Sequence, residues 1–183
     1  MKLIALIDAN VLYDAFLRSL LLRIHLKGGF QIKWTDEIQE EWVRNLIQNR
    51  QDLDSLKIRR IRELMESSAP DARVENYQHR IGGLSLPDPN DRHVLAAAIE
   101  CNADCIVTFN LPDFPAVSVG AISVMHPDAF LMNVYSAYPD EVLSGIIEHR
   151  STLKNPPYTS IEYADKLLKL GLVRLSAAVK DLI

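Results

Sequence analysis

Four carboxylates of this 183-residue chain sit at the edges of ordered segments: Asp8 closing the apolar run of LIDANVL, Glu41 inside TDEIQEEW, Asp91 opening the helix of PDPNDRHVLAAA, and Asp113 after the apolar run of IVTFNLPDF. A carboxylate at a strand end escapes full desolvation yet is held rigidly by the core behind it, as metal binding requires. Four converging acids make an all-oxygen donor set of the kind that Mg²⁺ or Mn²⁺ prefers. A cation so held can polarise a phosphate oxygen, acidify an attacking water and stabilise the leaving oxygen, so phosphodiester hydrolysis would need no covalent nucleophile. Asp8 and Asp91 are the leading ligand candidates, with Asp113 and Glu41 completing the ring. Like charges this close repel, which predicts raised carboxylate pKa values in the metal-free protein and relief on cation binding.

Other residues could serve such a site from its margin. Asn10 could hydrogen-bond a ligand carboxylate, and Thr108 could hold a water or a phosphate oxygen. Arg44, Arg59, Arg60, Arg62 and Arg92 could track a phosphate backbone. Softer metals have little support, because the five histidines show no helical pairing and Cys101 and Cys105 match no zinc or redox spacing. Each acid also fits an ordinary structural role. Asp8 and Asp91 suit helix caps, Asp88, Asn110 and Asp113 suit turns, and Glu41 with Glu37 and Glu40 suits a solvated acidic face. The order of all four on alternating strands and helices favours the site.

The elements that must position these groups read as a β-α alternation. Leu3 to Ile7 is a short continuous apolar run, the signature of a strand buried on both faces, and Val11 to Lys27 reads as the helix after it, ended by Gly28-Gly29. Phe30 to Trp34 reads as a second strand, and Thr35 as the N-cap of a helix from Asp36 to Asn49. A basic amphipathic helix spans about 53–67, and Pro87 to Asn90 turns the chain into an Ala-rich helix starting near Asp91. Cys105 to Phe109 and Ala121 to Met125 supply two more strands, so a parallel sheet is expected, with its site at the carboxyl edge. From Pro127 onward only helices are predicted, over about 127–135, 139–153 and 159–182, broken at Asn155-Pro156-Pro157 and at Gly171.

Composition sets the class. Hydrophobic residues make up 48% and charged residues 24%, which suits a folded globular domain, and the net charge of −4 argues against a general nucleic-acid coat. Asp8 interrupts the N-terminal apolar run too early for an export signal, and Arg18, Arg23 and His25 break up the next one, so a cytoplasmic protein with no membrane span is expected. The two cysteines are expected to pack as small apolar groups.

At these residues the chain resembles the PIN-domain nucleases, and within them the VapC-like toxins of bacterial toxin–antitoxin pairs. Residues 87–115, PDPNDRHVLAAAIECNADCIVTFNLPDFP, resemble the family's Asp-opened Ala-rich helix, apolar strand and Thr-x-Asn-x-x-Asp-Phe ending, and LIDANVL resembles its first strand with Asp-x-Asn. The resemblance covers about residues 1–135. It implies a three-layer α/β/α PIN-like domain with a central parallel sheet over 1–135 and a C-terminal helical extension over 136–183. It also implies Mg²⁺- or Mn²⁺-dependent endoribonuclease activity on RNA, a homodimer and a cognate antitoxin. Carried over by position, the acids fall on Asp8, Asp91 and Asp113, with Asn10, Thr108 and Asn110 as neighbours and Asp88 as an outer ligand. The remaining acid is Glu41 or Glu40; one residue of error turns the carboxylate by about 100° around a helix.

Two other classes remain open on sequence. An Asp8-nucleophile phosphatase of the haloacid-dehalogenase type would want an acid at Asn10. A PIN-like module that binds RNA or protein without cutting would use the same acids as structure.

Overall fold

The computed structural model describes residues 2–183. Its strands β1 (Ile4–Ile7), β2 (Gln31–Lys33), β3 (Cys105–Val107) and β4 (Ser123–Met125) form one parallel sheet in the order β2-β1-β3-β4. Ala5 is registered with Ile32 on one side and Cys105 on the other, and Ile106 with Val124. Every residue from Ala5 to Ile7 and from Cys105 to Val107 is buried. Burial on both faces is why these strands read as apolar runs rather than as alternating patterns.

All four strands are shorter than the apolar runs predict, β2 and β3 at their carboxyl ends. β3 stops at Val107 because the Thr108 side chain turns to Asp8, although the Thr108 amide still donates to the Met125 carbonyl at 3.0 Å. Beyond β2, Trp34 leaves the ladder to exchange backbone bonds with Ala72 and Val74.

The helix predicted over Val11 to Lys27 is two helices, α1 (Ala9–Leu12) and α2 (Ala15–Leu26). Asp14 makes the break: its backbone is extended and its carboxylate accepts the Leu17 amide at 2.9 Å, a cap signal read through in the sequence. The freed carbonyls of Leu12 and Tyr13 accept the buried Arg18 guanidinium at 2.5 and 3.2 Å. Gly28, at φ +87°, ends α2 where an L side chain would be strained.

α3 (Asp36–Asn49) starts at Thr35, whose hydroxyl accepts the Ile38 amide, and buries Ile38, Trp42, Val43 and Leu46. Arg18 stacks over Trp42 at 4.2 Å, fixing α3 against α2. α4 (Ser55–Ser68) and the short α5 (Gln78–Ile81) follow. A 3₁₀ turn, Pro89–Asp91, leads into α6 (Arg92–Glu100), which packs on β1 and β3, and α7 (Ala116–Val119) precedes β4. Cys105 is buried, its thiol pushed up to about 12 by desolvation, and both cysteines are free.

The C-terminal helices are α8 (Pro127–Ala137), α9 (Pro139–Thr152), α10 (Ser160–Lys169) and α11 (Val173–Val179). Gly171, an expected break, separates the last two. The sequence leaves open whether this extension packs on its own sheet unit or on a partner; it packs on α2. A Cβ on Gly145 of α9 would lie 3.1 Å from the Ile24 Cα, so only glycine permits this approach. Phe16 of α2 meets the His149 and Tyr163 rings at 4.6 and 4.9 Å. The buried Asp128 of α8 accepts the Arg174 and Leu175 amides and so caps α11. Among the described residues no helix is long and apolar enough to cross a membrane.

His149 is fully buried, with Nδ1 2.7 Å from the Tyr163 hydroxyl and Nε2 without a partner among the described residues. Burial, reinforced by the Arg23 charge, lowers its imidazole to about 4. The unfolded chain therefore binds this proton at higher pH than the native protein does, and stability falls as pH drops from about 6.5 to about 4. Urea unfolding at pH 7 and 4.5 should show a loss that shrinks in His149→Gln, and imidazole NMR should find His149 neutral at pH 5.5. A native His149 titrating near 6.5 would contradict this.

Candidate functional site

The strand order places β2 and β3 on opposite sides of β1, and the connections leaving β1 and β3 diverge. A crevice opens at such a reversal, outside the carboxyl ends of the strands. Asp8, Asn10 and Thr108 occupy it. The Asp8 carboxylate, 6% exposed, accepts the Ala9 amide at 2.7 Å on one oxygen. Its other oxygen accepts the Asn10 amide group at 2.8 Å and the Thr108 hydroxyl at 2.7 Å. Asn10 reaches across to accept the Phe109 amide at 3.1 Å, and Thr108 Oγ1 accepts the Asn110 amide at 3.0 Å. The loops leaving β1 and β3 are thus stitched together through Asp8, which also caps α1.

Asp91 ends the 3₁₀ turn before α6, half-buried, and makes no capping hydrogen bond. Asp88 does the local work of that turn by accepting the Asn90 amide at 2.8 Å, and Arg92 Nε is spent on the Pro89 carbonyl at 2.9 Å. Burial pushes the Asp91 carboxyl up to about 7, and the charges of Asp8, Asp113, Asp88 and Glu41 add to the effect. Asp8 is raised by burial against the opposing Thr108 and Ala9 hydrogen bonds, with Asp113 adding a smaller push. Glu41 is raised by burial and then by Asp8, with Arg44 pulling the other way. Asp113 lies in the 3₁₀ turn Leu111–Asp113 and accepts the Asn110 side-chain amide.

Glu41 and Glu40 diverge as neighbours on a helix must. Glu41 faces Asp8 and Asp91, whereas Glu40, 67% exposed, points to Arg62 at 3.6 Å. The acids feel one another's charge; Asp8 and Asp113 are turned to local donors, whereas Asp91 and Glu41 accept no hydrogen bond among the described residues. Among the described residues no three His, Cys, Asp or Glu side chains are grouped closely enough to hold an ion.

His93, in the first turn of α6, escapes the sequence reading. It is 7% exposed, with Nε2 3.8 Å from a Glu41 oxygen and Nδ1 3.6 Å from a Glu37 oxygen. Glu37 in turn accepts the Tyr77 hydroxyl at 3.1 Å. Burial lowers the His93 imidazole, against the pull of Glu37 and Asp8. A search for histidine pairs along the chain cannot find it, because its partners lie on α3. Its one sequence cue is its place two residues after Asp91, too near to share that residue's helix face.

Set against known proteins, residues 5–111, well over half the chain, match the PIN domain family model. The chain belongs to the PIN-domain family. The PIN domain contains Asp8, Asn10, Glu41, Asp91 and Thr108, and its matched segment ends two residues before Asp113. A second family model, the VapC50 C-terminal domain, matches residues 127–181, the four-helix segment docked on α2. The "Putative ribonuclease VapC50" of Mycobacterium tuberculosis (strain ATCC 25618 / H37Rv) is 38% identical over 79 residues, 42% of this chain and 47% of that protein. The match thus spans about half the length of this curated relative. No solved structure matches the chain significantly.

An acid whose pKa is higher folded than unfolded leaves the native state bearing a penalty that begins above the unfolded value and is complete once pH exceeds the folded one. Stability attributable to Asp91 is intact below about 4 and lost as pH rises through about 7. In EDTA, Asp91→Asn should therefore melt above wild type at pH 8 and level with it at pH 4, the gap at pH 8 being narrowed by solvent screening of this half-exposed group. Equal melting temperatures at both pH values would mean the repulsion is fully screened.

Proposed function

We propose that this protein is a Mg²⁺- or Mn²⁺-dependent endoribonuclease and the toxin component of a bacterial toxin–antitoxin pair. What supports the reading is the place of Asp8 and Asp91 at the carboxyl edge of the sheet, with Asp91 feeling the charge of Asp8, Asp113 and Glu41 and performing no capping role. The donor chemistry fits a hard divalent cation: all four groups are carboxylates, and their mutual repulsion is what a cation would relieve. Asp8, Asp91 and Asp113 would hold it, with Glu41 beside them and Asp88 outside. When bound, the cation would acidify a water and neutralise charge on the phosphate.

The chain's own residues supply the rest. Asn10 and Thr108 fix the Asp8 carboxylate, and His93, bracketed by Glu37 and Glu41, limits where the Glu41 carboxylate can swing. Phe109, 39% exposed and braced edge-on by His126, offers a face on which a base can stack beside the cluster. The division into a nuclease unit over 1–135 and a helical extension over 136–183 belongs to the same proposal, as do a cytoplasmic location and a homodimer. A partner chain would bury the apolar residues exposed along α4, Leu56, Ile61 and Leu64.

Purified protein given a mixed RNA pool should cut it with Mg²⁺ or Mn²⁺ and not with EDTA. Loss of a residue that only orients a metal ligand typically costs about 10–100-fold. Asp91→Asn, which removes a ligand, should lose more than about 100-fold in turnover and weaken Mn²⁺ binding by calorimetry, with its fold intact. No cutting by well-folded wild type with either metal would abandon the enzyme for a PIN domain that binds RNA or protein without hydrolysis. A cognate antitoxin is expected to inhibit by placing an arginine against the carboxylates, satisfying them as the cation does. An antitoxin complex retaining full Mn²⁺ affinity would rule out that mode.

A further inference from the structure

A groove of about 390 Å³ runs between α3 and α4, with Val43 and Ile47 as its apolar part and Arg44, Gln48, Arg59 and Arg62 around them. Five arginines are candidates for a phosphate track from sequence, and the structure divides them. Arg62 is consumed by Asp36, Glu40 and Glu66, Arg60 by Glu63, and Arg92 by the Pro89 carbonyl. Arg44 and Arg59 have no carboxylate or carbonyl partner among the described residues, are exposed, and line the same groove. In a chain with 24 acidic and 20 basic residues, two guanidiniums left free in one groove are a local departure from the overall charge.

The groove starts within one helical turn of Glu41. Glu41, Arg44 and Gln48 follow one another at i, i+3 and i+7 on the same stripe of α3, so Arg44 stands about 4.5 Å further along the axis than Glu41. The Arg44 charge is felt at the Glu41 carboxyl, and Glu40 also lines the groove. Resting on the ribonuclease reading above, we propose that the α3–α4 groove binds the single-stranded RNA flanking the scissile bond, with Arg44 and Arg59 on successive backbone phosphates and Val43 and Ile47 under the sugars. Backbone contacts of this kind set affinity and register and are indifferent to base sequence. They also draw a polyanion toward a cluster of acids that would otherwise repel it.

The test is fluorescence anisotropy of a 5′-fluorescein 20-nucleotide oligouridylate in EDTA over a KCl series, with cutting of a mixed RNA pool in Mn²⁺ measured alongside. Arg44→Gln/Arg59→Gln should bind on the order of 10-fold more weakly near 0.1 M salt, and its log–log salt slope should be shallower by about 1.4, since each phosphate contact on a single strand contributes about 0.7. Arg44→Lys/Arg59→Lys should restore the slope, and Arg60→Gln, removing an ion-paired charge outside the groove, should bind as wild type does. Unchanged binding by the double Gln variant while wild type still cuts RNA would overturn the groove and leave the ribonuclease standing. An equal loss in Arg60→Gln would overturn it as well, since net charge alone would then explain the effect. Wild type that neither cuts nor binds RNA would remove the ribonuclease reading and the groove together.

Discussion

Asp8 is a carboxylate taken almost out of water at the end of the central strand and kept there by three donors. Desolvating an anion costs several kcal/mol unless its oxygens are satisfied, and a hydrogen bond to a charged group returns about 1.5–3 kcal/mol. The three donors come from different places: the Ala9 amide belongs to α1, the Asn10 side chain to the same turn, and the Thr108 hydroxyl to the end of β3. Burying Asp8 therefore closes α1, aligns the ends of β1 and β3, and fixes the crevice between them. The donors do not cancel the cost, because the carboxyl remains raised. That residual penalty is shared with Asp91 and Glu41, and under the proposed function a cation would relieve it.

The surrounding helices deliver the other acids from independent anchors. α3 is oriented by its Thr35 cap, by Trp42 in the core and by Arg18 stacked on that ring, which together leave Glu41 turned to the crevice. α6 is buried all round through Val94, Leu95, Ala96, Ala97 and Ala98, whose alanines let it lie close to the sheet while Asp91 stays at its half-buried start. Each carboxylate is thus placed by a core that has no other business with it. Removal of the Glu41 or the Asp91 charge should leave the scaffold standing.

Much of this could be read from the residues. The continuous apolar runs at Ile4 and Cys105 announce doubly covered parallel strands, and Thr35 announces its helix, because these signals are local. The break at Asp14 was equally local, but the apolar periodicity on both sides concealed it. Choosing between Glu40 and Glu41 required the rotation of α3, which is set by Trp42 in the assembled core. His93 and Glu37 are near one another only across two helices, and no spacing along the chain encodes that. The partition of the arginines into paired and free ones is likewise a property of the packed surface. The docking of the last four helices rests on Gly145, whose absent side chain looks in sequence like a helix defect.

That missing side chain reaches further than the helix that carries it. α9 can approach α2 only where a Cβ is lacking, and it covers Phe16 and Ile24 in doing so. A chain that dispensed with the last four helices would present those two residues to water, along the helix that follows the Asp8 turn directly. Relatives lacking the extension should carry polar residues at the positions of Phe16 and Ile24 and have no need of a glycine partner. The inward or outward character of α2 therefore records, within the first thirty residues, whether a chain of this family has the helical cover at its far end.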